Sequence, residues 1–318
     1  MSEIGHWLAR TGLPQRLAVG YSGGVDSTAL LLALASSGHE VVAWHVDHGW
    51  HVGSAGVAED LQARAAFWGI EFHRARVQAG NDKNREARAR QARFAQFSAW
   101  AAEQGITTLC LAQQRDDQAE TVCMRLLQGA GPAGCSGMRS ERFRQGLRIV
   151  RPLLHIRRSE LVRALRQAGV DWYEDASNHD TTLLRNRIRH DLFASLRSRG
   201  TDPVELFCRW QVQAEHLSAR LDRLADAVAL DMRKGVAVIA WDAWQSSPAA
   251  VRAVLLQRMS ASLFGEGTVL GRRHILLAEE WRRRGGRQGI DLSRCRLFRS
   301  RENLHLAPAE VSLSDKLG

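Results

Sequence analysis

Short apolar runs alternate with longer stretches of helical period through the first half of the chain. Residues 17–21 (Leu-Ala-Val-Gly-Tyr) predict a strand, and the run from Ala29 to Leu34 predicts a helix opening at Ser27. Residues 41–47 predict a second strand, 57–68 a helix and 71–77 a third strand. Residues 84–103 predict a long helix stopped by Gly105, and 107–112 a fourth strand. Residues 116–128 predict a helix with acids at its start and Gly129 after its end, as the dipole and C-cap rules prefer. Strand and helix alternating at this spacing predict an α/β fold with a doubly wound parallel sheet. In such sheets ligands bind beyond the carboxyl ends of the strands. Three polar motifs fall at such ends: residues 22–27, Asp47-His48-Gly49 and residues 113–117.

The pattern changes in the second half. The breaker-rich loop Gly129-Ala130-Gly131-Pro132-Ala133-Gly134 precedes a short strand at 148–154. Residues 159–168 predict an amphipathic helix ended by Gly169, and 185–196 a further helix. After Thr201-Asp202-Pro203, residues 204–230 read as one helix. Its apolar positions Trp210, Leu217, Leu221, Leu224 and Val228 predict a packing stripe. The boundaries that follow are a first domain at 1–200, a linker helix at 201–235 and a smaller, mostly helical domain at 236–318.

Composition narrows the class. The 318 residues suffice for two domains. No apolar stretch approaches the roughly 18 residues needed to span a membrane. Met1-Ser2-Glu3-Ile4-Gly5-His6 lacks the basic start and apolar core of a secretory leader, so the expected compartment is the cytoplasm. Cys110, Cys123, Cys135, Cys208 and Cys295 are scattered without a C-x-x-C pair, against a disulfide framework and against a cysteine-rich metal centre. Net charge is +10, and all but three of the 44 basic residues are arginine, whose planar fork suits phosphate. Between Gly271 and Arg301 stand ten arginines and three acids, including Trp281-Arg282-Arg283-Arg284. Arginine beside an aromatic ring suits RNA; a solvated helix end would have the same composition.

The candidate chemistry centres on Ser22-Gly23-Gly24-Val25-Asp26-Ser27-Thr28, between the first strand and the first helix. Two glycines let backbone approach a ligand closely. The helix start offers unpaired N–H groups and a positive dipole end. Ser22, Ser27 and Thr28 add hydroxyls, one of which suits an N-cap. The string has neither the Lys-Ser/Thr ending of a Walker loop nor the Gly-x-Gly-x-x-Gly of dinucleotide folds. A carboxylate at Asp26 makes sense beside phosphate if it holds a metal. Asp117 and Glu120, three apart, share a helix face. By themselves, two acids near a helix start compensate the helix dipole.

Ser-Gly-Gly-x-Asp-Ser resembles the pyrophosphate loop of the ATP pyrophosphatase superfamily. His45-Val46-Asp47-His48-Gly49, Glu86-Ala87-Arg88-Ala89-Arg90, Asp116-Asp117-Gln118-Ala119-Glu120-Thr121, Arg151-Pro152-Leu153-Leu154, Trp172-Tyr173-Glu174-Asp175-Ala176-Ser177-Asn178 and Arg185-Asn186-Arg187-Ile188-Arg189-His190 follow in order. Together they resemble the tRNA(Ile)-lysidine synthetase family, strongly over about residues 15–195 and more weakly beyond.

The resemblance implies that ATP adenylates the wobble cytidine of isoleucine tRNA with a CAU anticodon, and that free L-lysine then displaces AMP. It implies ATP at Ser22, Gly23, Gly24, Val25, Asp26, Ser27, His48 and Gln113, with Mg2+ on Asp26 and Asp117. Asp26, Asp117 and Glu120 become the catalytic candidates, the last two for lysine. Arg88, Arg93, Asn178, Arg185, Asn186, Arg189, Arg282, Arg283 and Arg284 become candidates for tRNA and substrate, in a chain with no membrane partner; a homodimer stays open. The sequence departs from the family at Gln113, followed by Gln114, where histidine is usual; glutamine carries neither proton nor positive charge. Cytidine thiolation in the same superfamily, and a tRNA-binding homologue of reduced activity, remain the alternatives. The missing cysteine pair disfavours the first and the intact loop disfavours the second.

Overall fold

The computed structural model describes residues 12–47, 49, 54–77, 85–174, 183–265 and 270–309. His48 and Asn178 therefore lie outside the described residues. The chain divides into two compact units, Met1–Met124 with Gly137–Cys208, and Arg125–Ser136 with Arg209–Gly318.

The first unit alternates strand and helix. It runs β1 (Arg16–Gly20), α1 (Val25–Ser36), β2 (Glu40–Asp47), α2 (Ser54–Phe67), β3 (Glu71–Arg76), α3 (Arg85–Gln104), β4 (Thr108–Cys110) and α4 (Arg115–Leu127). After α5 (Pro132–Cys135) of the second unit come β5 (Glu141–Arg144), β6 (Leu147–Val150), α6 (Arg158–Gln167), α7 (Leu184–Arg187), a π turn (Ile188–Leu192) and α8 (Phe193–Ser198). The sheet order is β3-β2-β1-β4-β6-β5. All pairs are parallel except β5–β6, with Val19 set between Ala43 and Cys110, and Cys110 beside Val150. The chain winds outward from β1 to β3 and then returns to β4 on the other side of β1. That reversal opens the binding crevice between β1 and β4.

Successive strand residues face opposite sides, and both sides are covered. Leu17 and Val19 pack with Leu30, Leu31 and Leu34 of α1. Ala18 and Leu109 pack with Trp44, Phe97 and Trp100 on the other side. The β5–β6 hairpin is an addition to the single strand expected at 148–154. Its turn residues Gln145 and Gly146 both have positive φ (50° and 78°), the geometry a tight hairpin demands.

In the second unit α9 (Pro203–Asp226, which begins in the first) leads to β7 (Leu230–Arg233), β8 (Val236–Ala240), α10 (Trp241–Ser246), α11 (Ala249–Phe264), α12 (Arg272–Arg283), β9 (Ile290–Leu292), β10 (Cys295–Arg299) and β11 (Asn303–Pro308). The strands form an antiparallel sheet, β7-β8-β11-β10-β9, alongside the expected helices. Trp241, Trp244, Leu255, Leu256, Met259 and Trp281 sit in its core. A buried bidentate pair joins α11 to α12, from Arg252 Nε and Nη2 to Glu279 at 2.6 Å each.

The expected packing stripe of α9 splits. Leu221 is buried and Val228 packs against the core, but Trp210, Leu217 and Leu224 are 54, 47 and 46 % exposed. Positions seven apart lie on one side of a helix, and the core takes the side marked by Leu221, Ala225 and Val228 instead.

Candidate active site

The loop after β1 closes on itself. Ser27 Oγ donates to the Gly24 carbonyl (3.1 Å) and lies 3.1 Å from Ser22 Oγ, while Thr28 Oγ1 donates to the Gly23 carbonyl (3.2 Å). Gly23 has φ +79°, and a Cβ there would lie 2.3 Å from Leu61 Cδ2, so only glycine fits. The helix begins at Val25, two residues before the expected start, with Gly24 as its N-cap. No hydroxyl caps it: Gly24 makes no side-chain cap bond, and the serines are spent on the loop. The N–H groups of the first turn are thus left for an anion.

Across the crevice α4 opens with a reciprocal cap. Gln114 Oε1 accepts from the N–H groups of Asp116 and Asp117, and Asp117 Oδ2 accepts from Gln114 N (3.2 Å). Asp116 turns to α6, accepting from Arg158 N at 3.1 Å. Of the two adjacent glutamines, Gln114 builds the helix start. Gln113 instead accepts a 3.0 Å hydrogen bond from Arg151 Nε.

Glu120 is 1 % exposed. Both of its oxygens are engaged, Oε1 by Arg189 Nε (2.6 Å) and Oε2 by Arg185 Nε (2.9 Å) and Arg189 Nη2 (3.0 Å). The same guanidiniums stand 3.9 and 3.7 Å from Asp117 Oδ1. Burial works to lower the Arg189 pKa, but the hydrogen bonds and charge of Glu120 outweigh it and the net direction is up. The π turn carrying Arg189 follows the short helix carrying Arg185, and both side chains reach Glu120 and Asp117 of α4. Single-turn π insertions are frequent at functional sites.

Asp26 sits in the first turn of α1, with Oδ2 at 3.9 Å from Arg158 Nη1. Burial pushes its carboxyl up to about 7; Arg158 opposes this, and Asp117 adds to it. Its Oδ1 is buried and has no hydrogen-bond partner among the described residues. An orphaned carboxylate oxygen beside an open helix start, with a second carboxylate at Asp117, fits a cation shared with phosphate oxygens. Among the described residues no group of three or more His, Cys, Asp or Glu is arranged to hold a metal alone, so phosphate would supply the remaining ligands.

The structure brings together Ser22, Gly23, Gly24, Val25, Asp26 and Ser27 in the loop, and Asp117, Glu120, Arg185 and Arg189 opposite. Val25 is buried and faces the core. Asn186 is buried beside the paired arginines. Arg93 is half-buried on α3, where burial lowers its pKa, and Arg88 is an exposed residue of that helix. In the second unit Arg282 donates to Glu279 (3.2 Å) and Arg284 pairs with Glu280, while Arg283 is exposed. Gln114 and Arg151, which stand in the sequence motifs without an assigned role, and Arg158 are further site residues that sequence reasoning did not assign. Gln114 lay within sight as the residue two before a helical acid pair, but glutamine is not an ordinary N-cap.

This strand order, with a glycine loop opening α1 at the switch point, defines a PP-loop domain, and the PP-loop domain family matches residues 3–196. More particularly, the chain belongs to the tRNA(Ile)-lysidine synthase family. It is 37% identical over 224 residues to the tRNA(Ile)-lysidine synthase of Burkholderia mallei, covering 68% of this chain and 45% of the relative. It is 33% identical over 227 residues to that of Chlamydia felis, covering 67% of this chain and 72% of the relative. The chain spans about half the length of the first curated relatives it matches. The U34-tRNA thiolase NcsA of Methanococcus maripaludis shares the fold, with a TM-score of 0.55 at 15% identity over 68% of this chain and 80% of that one. All five cysteines are free and buried. Among the described residues no helix is long and apolar enough to cross a membrane.

Proposed function

We propose that this chain ligates free L-lysine to carbon 2 of the wobble cytidine of isoleucine tRNA with a CAU anticodon, using ATP. The observation that carries the reading is the crevice itself. An uncapped helix start and glycine loop face two carboxylates and two arginines across the β1/β4 switch point. The loop and the first turn of α1 take the β- and γ-phosphates as the leaving pyrophosphate. The cytidine O2 attacks the α-phosphorus, the bond to the β-phosphate breaks, and the cytidine becomes adenylated at that oxygen. The lysine side-chain amine then attacks carbon 2 and AMP departs. Asp26 and Asp117 would hold Mg2+, which when bound neutralises phosphate charge.

Asp117, more open than Glu120, takes the lysine ammonium and receives the proton that the amine must shed before attack. Glu120 holds Arg185 and Arg189 in place for the phosphates of the substrates. Arg88 and Arg93 in the first unit, and Arg282, Arg283 and Arg284 in the second, each offer positive charge to RNA phosphates. Support for an RNA partner comes from the family and from the +10 charge.

The test is the product. The chain is incubated with isoleucine tRNA bearing CAU, ATP, Mg2+ and lysine, and the digested nucleosides are weighed. A cytidine heavier by lysine minus water is expected. Sulfur in place of oxygen would move the chain to thiolation, and unmodified cytidine with tRNA still bound would overturn the ligase reading.

A further inference from the structure

Arg151 follows the last residue of β6, at the same carboxyl edge of the sheet as the glycine loop, and is only 4 % exposed. Its partners are neutral. Nε donates to Gln113 Oε1 (3.0 Å) and Nη1 to the Arg139 carbonyl (2.9 Å). Among the described residues no carboxylate pairs with it, and Nη2 makes no hydrogen bond. Burial above all, and then the like charges of Arg142 on β5 and Arg90 on α3, press its pKa down to about 10. A buried cation with neutral partners is costly, and an arriving anion relieves that cost.

The surroundings hold this cation in place. Gln118 of α4 clamps the loop before β5, its amide donating to the Met138 carbonyl (3.0 Å) and accepting from Met138 N (2.7 Å). Gly137 has φ +73°, and a Cβ there would press within 2.8 Å of that amide. Arg139, next to Met138, supplies the carbonyl that holds Arg151, and Arg151 N in turn donates to the Ser140 carbonyl (2.7 Å). Arg151, Gln113 and Gln118 thus form a polar bridge from the end of β6 to the start of α4.

We propose that Arg151, oriented by Gln113, binds a phosphate of the RNA backbone next to the reacting nucleotide. This rests on the reading of the chain as a tRNA-modifying ligase. Phosphate is the anion that both substrates of that reading carry, and a guanidinium fork matches it. The position favours RNA. β6 stands two strand spacings, about 10 Å, from β1, whose loop takes the leaving pyrophosphate, with β4 between them.

The test uses the full chain with Arg151→Gln, Arg151→Lys and Gln113→Glu. Binding of a CAU anticodon stem-loop is followed against salt by fluorescence anisotropy, ATP binding is followed without RNA, and unfolding is followed by heat. Arg151→Gln should weaken RNA binding about tenfold at 0.1 M salt and reduce the salt slope by about 1. Gln113→Glu, which sets a carboxylate on the guanidinium, should reduce the slope likewise. Arg151→Lys should keep the slope and lose part of the affinity. The unfolding temperature of Arg151→Gln should hold or rise, since an uncompensated charge is gone. An unchanged slope in Arg151→Gln overturns the proposal, all the more if the protein also loses stability, which marks a structural arginine. Weakened ATP binding with normal RNA binding also overturns it and gives the site to the nucleotide. A parent protein that binds no RNA overturns the ligase reading as well; one that binds RNA while the variants match it overturns Arg151 alone.

Discussion

Arg189 donates from Nε to Glu120 Oε1 at 2.6 Å, and the carboxylate that accepts it is closed to solvent. A three-residue spacing on α4 suggested two carboxylates waiting for a ligand. Instead, one is already neutralised within the protein and the other stays partly open at the crevice.

Removing Glu120 should therefore cost stability as well as activity. Glu120→Gln leaves two arginines facing each other, and a lost partner in a buried ion pair costs on the order of 2–4 kcal/mol, toward the low end here because both arginines keep solvent contact. Urea unfolding should show a lower midpoint. Asp117→Asn should leave the midpoint close to that of the parent while raising the lysine concentration needed for half-maximal ligation at least tenfold. A Glu120→Gln protein as stable as the parent would show that the pair contributes nothing to the fold.

Asp26 should make nucleotide binding depend on pH. Its carboxyl titrates at about 7 rather than at 3.8, and only the ionised form holds a cation. Magnesium-dependent ATP affinity should fall about tenfold per pH unit below 7 and level off above it. Stability should run the other way. The raised pKa contributes stability that is full below 3.8 and lost as pH rises through about 7. Asp26→Asn should thus resist urea better than the parent at pH 8, with the advantage shrinking toward pH 4, and should bind magnesium-ATP weakly at every pH. Equilibrium dialysis and urea titration at several pH values check both.

Gly23→Ala should abolish ATP binding by two separable effects. The left-handed φ disfavours any side chain, and the new methyl collides with Leu61. Adding Leu61→Ala removes the collision only. The double variant should recover part of the lost folding stability while ATP affinity, measured by calorimetry, stays at least tenfold below the parent. Full recovery of ATP binding would mean that the backbone twist is unimportant.

In the second unit, Arg283 is the cleanest probe of RNA contact. Arg282 shares Glu279 with the buried Arg252, so reversing it disturbs the unit itself, and reversing Arg284 would set a like charge against Glu280. Arg283→Glu should reduce tRNA affinity several-fold and lower its salt slope by about 1, with no change in ATP binding measured without RNA. An unchanged slope would make this arginine plain solvated surface.

The local chemistry of the first unit is legible in the sequence because it is contiguous. A glycine turn between a strand and a helix specifies its own backbone, and residues three or four apart must share a helix face. Contacts between distant segments are not legible in that way. Arg189 meets Glu120 across 69 residues, and no spacing rule says that a carboxylate on one helix will be covered by guanidiniums from another. The two glutamines at 113 and 114 look alike in sequence, yet one caps α4 and the other faces Arg151. Strands of three to six residues in the second unit, such as Ile290–Leu292 and Asn303–Pro308, are too short for an alternation to stand out. The stripe on α9 shows the converse, since apolar spacing predicts a face but not which face the core will take.

The π turn at Ile188–Leu192 makes this segment intolerant of changes in length. Each residue of an α-helix turns the chain by 100°, so deleting one residue within the turn and restoring regular winding would swing everything after it around the axis. Arg189 lies four residues after Arg185, so deleting a residue between them would turn one guanidinium by about 100° relative to the other and away from Glu120. Insertions and deletions should therefore be tolerated in the surface turns of this chain and rejected between residues 185 and 192, even where every substitution at a noncontacting position there is accepted.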